Sequence, residues 1–115
     1  MNDSLTVKSL DSPDETTTFD NGILENTELG DITFMQGTVE PGWVWSRDNG
    51  PAMGTKSCPL SHRVYMVSGE MVVEMDDGTQ ETLEEGDVAI IPPGHDAWTQ
   101  GEEPAVFLDV RIEAD

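Results

Sequence analysis

Glycine and proline interrupt this 115-residue chain so often that no stretch keeps a 3.6-residue apolar period long enough for an amphipathic helix. The eleven glycines and seven prolines separate short runs rich in Val, Ile, Thr and Phe. Turn signals recur about every eight to twelve residues, which predicts an all-β sandwich or barrel. Residues 31–40, "DITFMQGTVE", read as a strand broken by Pro41 and Gly42, and "WVWS" follows. After the Gly/Pro-rich loop "RDNGPAMGTKSCP", residues 62–75 form the strongest β segment, kinked at Ser68 and Gly69. Asp77-Gly78 suits a tight hairpin turn. "TQETLEEGD" runs into another turn at residues 85–87, "VAIIPPG" is a short buried strand stopped by two prolines, and "AVFLDVRI" is the last strand. Residues 1–20 are rich in Ser, Thr, Asp and Asn and read as a flexible acidic arm, with an edge strand near "TTTF". The barrel then occupies residues 21–115, a single domain of a size that can bury a core.

Twenty-four acidic residues against five basic ones give a formal net charge of −19. Such a surface repels phosphate backbones and anionic headgroups, so nucleic acid and membrane are poor partners. The acids are scattered over turns and both ends rather than gathered in one block. That pattern fits a halophilic, salt-adapted protein, in which self-repulsion is screened. The N-terminus is polar and acidic, unlike a signal peptide. A single cysteine excludes an intrachain disulfide and fits a cytoplasmic setting.

That cysteine, Cys58, stands four residues before His62, one of only two histidines. Alone, Cys58 would be a small buried hydrophobe and His62 a satisfied barrel-mouth histidine. The other histidine, His95, lies in "PPGHDAW", which also suits a surface turn with Asp96 as its cap. Asp76-Asp77-Gly78 lacks the further spaced oxygen ligands of a calcium loop.

Two segments, "HRVYMVSGEMVVEMDDG" and "GDVAIIPPGHDAW", together resemble the cupin superfamily. The wider string, with its Cys-x3-His spacing and PPGHDAW ending, is similar to a subgroup of small single-domain cupins. The resemblance implies a double-stranded β-helix, or jelly-roll, barrel. It also implies a metal at one end, bound in the family by three histidines and a glutamate. On this chain the glutamate position is His62, the second histidine position Cys58 and the first Lys56. The last histidine position is Ala97, with His95 two residues earlier. The site is therefore rebuilt, and no carboxylate stands where the family has one.

Fully extended, Cys58 and His62 would lie about 13 Å apart. Convergence on one ion requires the bend that Pro59-Leu60-Ser61 can supply. His95 and Ala97 share a face of an extended segment. Cys58, His62 and His95 are thus the candidate metal ligands, a set suited to Zn2+, with Fe2+, Ni2+ or Cu2+ as alternatives. Asp96 could then orient the His95 ring. Lys56 could lower the thiol pKa if it faced the same cavity. A metal-free reactive thiol with His62 as base is a competing arrangement, but no third, orienting group is evident. Trp43 and Trp45 share a face and, with Val64 and Met66, which share parity with His62, are candidates to wall a small-molecule pocket. Paired tryptophans are also common in barrel cores. Trp98 would close the same mouth or pack at its rim.

Three functions follow: a metalloenzyme acting on a small metabolite, a non-catalytic binding or sensing barrel, and a structural barrel. Cupins commonly pair through sheet edges and N-terminal arms, so a homodimer is expected.

Overall fold

The computed structural model describes residues 5–112 and is built almost wholly of antiparallel strands. In chain order they are β1 (Glu15–Phe19), β2 (Gly22–Leu29), β3 (Ile32–Val39), β4 (His62–Ser68), β5 (Glu70–Met75), β6 (Gln80–Leu83), β7 (Val88–Ile91), β8 (His95–Gln100) and β9 (Ala105–Ile112). Two one-turn helices, α1 (Trp45–Asp48) and α2 (Gly50–Met53), lie between β3 and β4. A six-stranded sheet runs β1-β2-β3-β9-β4-β7, and a three-stranded sheet runs β6-β5-β8. The two sheets enclose a core that includes Val39, Val64, Met66, Met71, Val73, Leu83 and Ala105. This is the all-β barrel expected from the turn spacing, in the jelly-roll form that the cupin resemblance implies.

The kink at Ser68 and Gly69 is where the chain leaves the large sheet for the small one. Gly69 has φ +74°, and a Cβ there would run into the Pro104 carbonyl. Only glycine meets both demands. The Asp76–Thr79 turn closes the β5–β6 hairpin, with Gly78 N–H donating to the Met75 carbonyl at 2.9 Å.

The structure differs from the expectation in several elements. β7, expected to be a buried strand, is an edge strand of the large sheet with Val88 and Ile90 exposed. "WVWS" does not form a strand. Val44 makes only an isolated bridge to Trp98, and the chain then coils into α1. The Asp48 carboxylate tightens this coil by accepting from the Val44 N–H at 3.1 Å and the Asn21 side-chain amide at 3.3 Å. β2, "GILENTEL", has the composition of a loop, but it pairs with β3 over eight positions and with β1 over five, and that context overrides its weak propensity. β1 places the end of the expected arm within the large sheet, at the "TTTF" position. Residues 1–4 of that arm lie outside the described residues. No helix among the described residues is long and apolar enough to cross a membrane.

Gly69→Ala and Gly78→Ala separate steric from backbone effects. At Gly78, φ is +93° and nothing lies within 4 Å of an added Cβ, so only left-handed strain of about 1–2 kcal/mol is expected. At Gly69 the clash adds to that strain, for a total of about 3 kcal/mol or more. Denaturant melts of the two variants check this; equal midpoints would remove the clash as the cause.

Candidate metal centre

Cys58 is brought to His95 by backbone pairing. The Cys58 N–H donates to the His95 carbonyl and the Gly94 N–H to the Cys58 carbonyl, both at 2.7 Å. This isolated antiparallel bridge sets the two side chains against each other. Pro59 cannot continue the ladder, the chain turns through Leu60 and Ser61, and β4 starts at His62. The bend required by the spacing is therefore present. His95 enters from the other sheet, at the first position of β8, directly after the Pro92-Pro93-Gly94 turn. Its alternation partners Ala97 and Thr99 also face inward.

The ligating atoms of Cys58, His62 and His95 all lie within 4.8 Å of one another. Cys58 Sγ is 3.6 Å from His62 Nε2, and the two imidazole rings meet edge to face with centroids 5.1 Å apart. Cys58 and His95 are buried, and the His62 side chain is 15% exposed.

Each ring is fixed through its far nitrogen. His95 Nδ1 lies 2.8 Å from the Pro92 carbonyl oxygen. A carbonyl can only accept, so Nδ1 carries a proton and Nε2 is the ring nitrogen left to face the sulfur. His62 Nδ1 lies 2.7 Å from Asp109 Oδ2. Asp109 has no exposure at all, and its other oxygen accepts the Arg63 N–H at 3.0 Å. A carboxylate behind a ligating histidine fixes its tautomer and raises its basicity.

The sequence reading assigned no role to Asp109. The missed signal was an acid at an inward position of a strand that is apolar apart from Asp109 and Arg111, since Asp109 shares its face with Ala105 and Phe107. Asp96 does not orient His95. Its Oδ1 instead accepts from the Ser46 and Ala97 N–H groups, both at 2.9 Å. Lys56 is exposed and does not line the cavity.

These contacts set the charge state of the pair. Burial alone would push the Cys58 thiol up, but hydrogen bonds from His62 and His95 outweigh it and bring the pKa down to about 6. Burial likewise opposes protonation of His62, but the Asp109 hydrogen bond, helped by Cys58, raises its pKa to about 9. Without metal, the neutral-pH pair is thiolate and imidazolium.

Beside the cluster lies a cavity of about 160 Å³. Trp43, Trp45 and Val64 line it, together with Met35, Ile91 and Phe107. Gly37 makes room for Phe107, whose ring lies where a Cβ would otherwise project. Met66 shares parity with Val64 but sits deeper, fully buried in the core and away from the lining. Trp98 also stays outside it, because β8 turns its Ala97 face inward.

The Cupin domain family matches residues 59–111, a span that holds His62, His95 and Asp109. By this match, which spans just under half of the chain, the segment is a cupin domain. Similar solved cupin-type structures agree with the assignment. A cupin-superfamily sugar phosphate isomerase from Silicibacter pomeroyi is 21% identical, with a TM-score of 0.68 over 95% of this chain and 76% of its own. Ectoine synthase from P. lautus is 11% identical, with a TM-score of 0.71 over 95% and 78%. The polyketide cyclase RemF from Streptomyces resistomycificus is 18% identical, with a TM-score of 0.61 over 84% and 68%. At these identities the likeness is one of fold. No curated protein matches the chain in sequence. Cupins commonly bind divalent metals, and this cupin carries a Cys/His/His group close enough to hold one.

The thiolate gives a direct check of the pair. In chelator-treated protein, ultraviolet thiolate absorbance should rise as pH increases through about 6. In His62→Gln that transition should move up toward the ordinary thiol range. A wild-type transition already in that range would remove the ion pair.

Proposed function

We propose that this cupin holds one divalent metal, Zn2+ in the first instance, through Cys58, His62 and His95, and binds a small organic molecule in the adjoining cavity. The observation that carries the reading is the orientation of the two imidazoles. Each is hydrogen-bonded at Nδ1, which leaves each Nε2 to face the thiolate sulfur. One thiolate and two imidazoles form a recognised zinc set with a fourth position open. Fe2+, Ni2+ and Cu2+ suit the same donors, and availability would decide among them. When bound, the metal would act as a Lewis acid or lower the pKa of a bound water. The protein's own part is to keep the Cys58 sulfur a thiolate, hold His62 in place with Asp109 and surround the ligand with apolar walls. No aspartate or glutamate lines the cavity among the described residues, so general acid–base work by a carboxylate is not part of this reading.

A second reading rests on the same line of contacts. Sulfur, imidazole and buried carboxylate in sequence, at 3.6 and 2.7 Å, have the order of a nucleophile, its base and the group that orients the base. Asp109 is the third member that the sequence did not reveal. This reading gives His95 no task, whereas the metal reading uses it.

Elemental analysis of tag-free protein and competition with a chromophoric chelator test the choice. One zinc per chain is expected. Cys58→Ala and His95→Ala should each lose at least about 100-fold in affinity, and Asp109→Asn about 10- to 100-fold. Zinc uptake that survives Cys58→Ala would sink the metal site. Rapid alkylation of Cys58 in a protein that takes up no zinc would favour the nucleophile.

A homodimer joined through the outer face of the large sheet forms part of the proposal. The register puts Tyr65, Val67, Val88 and Ile90 on this face with Leu108, Val110 and Ile112, and Val88 and Ile90 are 77% and 80% exposed. Of the chain's many acids, its strands present only Glu25 there. Two copies of so acidic a chain meet with least repulsion on such a face. Six strands about 4.8 Å apart, of four to eight residues each, give on the order of 650 Å² per copy, somewhat below the ~800 Å² of a standard interface. Light scattering in high salt should show a dimer that Ile90→Lys dissociates; a wild-type monomer at tens of micromolar, as an order-of-magnitude working concentration for such interfaces, would count against it.

A further inference from the structure

The cavity beside the metal cluster differs in charge from the rest of the molecule. The chain has 24 acidic residues, and no aspartate or glutamate lines this cavity among the described residues, but one arginine does: Arg111. Arg111 follows Asp109 by two on β9, so both side chains lie on the inward face of the large sheet. Its Nε is buried and has no hydrogen-bond acceptor. The nearest charge, Asp109 Oδ2, is 3.7 Å away, and the Asp109 oxygens are already taken by His62 Nδ1 and the Arg63 N–H. The Arg111 side chain as a whole is 41% exposed, at the edge of the cavity.

A guanidinium is a planar fork of donors matched to carboxylate geometry. Here one limb of that fork, Nε, is buried with no hydrogen-bond acceptor and only the Asp109 carboxylate at 3.7 Å, at a cavity lined also by Trp43, Trp45, Met35, Ile91 and Phe107. We infer that Arg111 anchors the carboxylate of a small organic acid whose apolar, ring-sized body fills the cavity. An apolar cavity of about 150 Å³ holds a benzene ring, and this one is of that size. A phosphate or a polyol fits the lining poorly, because it would leave several strong acceptors or hydroxyls against apolar walls. The missing acids have the same sense: a carboxylate on this lining would repel the anion that Arg111 attracts. The inference deepens the proposed ligand pocket and rests on that reading, but not on which metal is bound.

The test uses zinc-loaded full-length protein with 3-phenylpropanoate and its uncharged amide, 3-phenylpropanamide, as probes. Binding is followed by calorimetry, with zinc content measured on the same samples. The acid should bind about tenfold or more tightly than the amide. Arg111→Gln should abolish that preference by weakening acid binding about tenfold or more. Arg111→Lys, which keeps a charge opposite Asp109 if the neutral variant folds poorly, should retain only part of it. Equal binding of acid and amide by the wild type, or a preference that persists in Arg111→Gln, overturns the assignment. So does the failure of both probes to bind protein that holds zinc, and the metal site then stands alone. Protein that takes up no zinc but still prefers the acid through Arg111 retains the anion anchor and loses the metal.

Discussion

The Asp109 carboxylate is removed from water altogether, and a charge in that position persists only when it is paired and hydrogen-bonded. Its partners are His62 Nδ1, the Arg63 N–H and, at longer range, the Arg111 guanidinium. Three neighbouring features of the site meet in this one group. It fixes which nitrogen of His62 faces the sulfur, keeps that ring readily protonated and sits between the cluster and Arg111. Breaking the group leaves a buried donor without an acceptor, so its loss would be felt at the sulfur and at Arg111 alike. The register of β9 against β4 and β3 carries this arrangement, since a slip by one residue would turn Asp109 outward.

The second constraint is the two-bond bridge between Cys58 and the 94–95 segment. It ties the long β3–β4 connection to the small sheet, whereas His62 belongs to the large one. The cluster is thus assembled from both sheets and a loop. Trp43 and Trp45 are carried by the same connection, with Trp43 Nε1 donating to Asn49 Oδ1 at 2.8 Å. The pocket walls and the sulfur are therefore held by one continuous segment, coiled by Asp48 at one end and paired to β8 at the other. Arg47 holds the Asp48 carboxyl down to about 2, so the coil keeps its charged cap at any pH well above that value.

What could be read in the sequence was whatever depended on local chemistry. Gly69, Gly78 and the paired prolines at 92 and 93 mark real corners, because backbone conformations of that kind admit few residues. The convergence of Cys58 and His62 was implied by the cupin resemblance, with Pro59-Leu60-Ser61 able to supply the bend. What escaped depended on partners distant in the chain. β2 is a strand through its neighbours and not its composition. The coil at Trp45 needed Asp48 to cap it and Asp96, fifty residues away, to accept the Ser46 N–H. Asp109 stands 47 positions from the histidine it orients, and only strand order brings them together. Parity put Val64 and Met66 on one face correctly, but depth along the barrel axis, which parity does not encode, separated the cavity wall from the core.

The distribution of charge links these parts. A net charge of −19 spread over turns and hairpins creates a long-range repulsion toward anions, and salt within a Debye length of about 8 Å or less removes most of it. Buried or partly buried pairs are screened far less. Under salt, then, the field of the distant carboxylates fades while the local field of Arg111 beside the cluster remains. An acid-free cavity with one arginine at its edge can select an anion only in that regime, or at contact distance. The same screening lets two outer faces with a single glutamate each approach. Both features depend on where this chain omits acids rather than on where it places them.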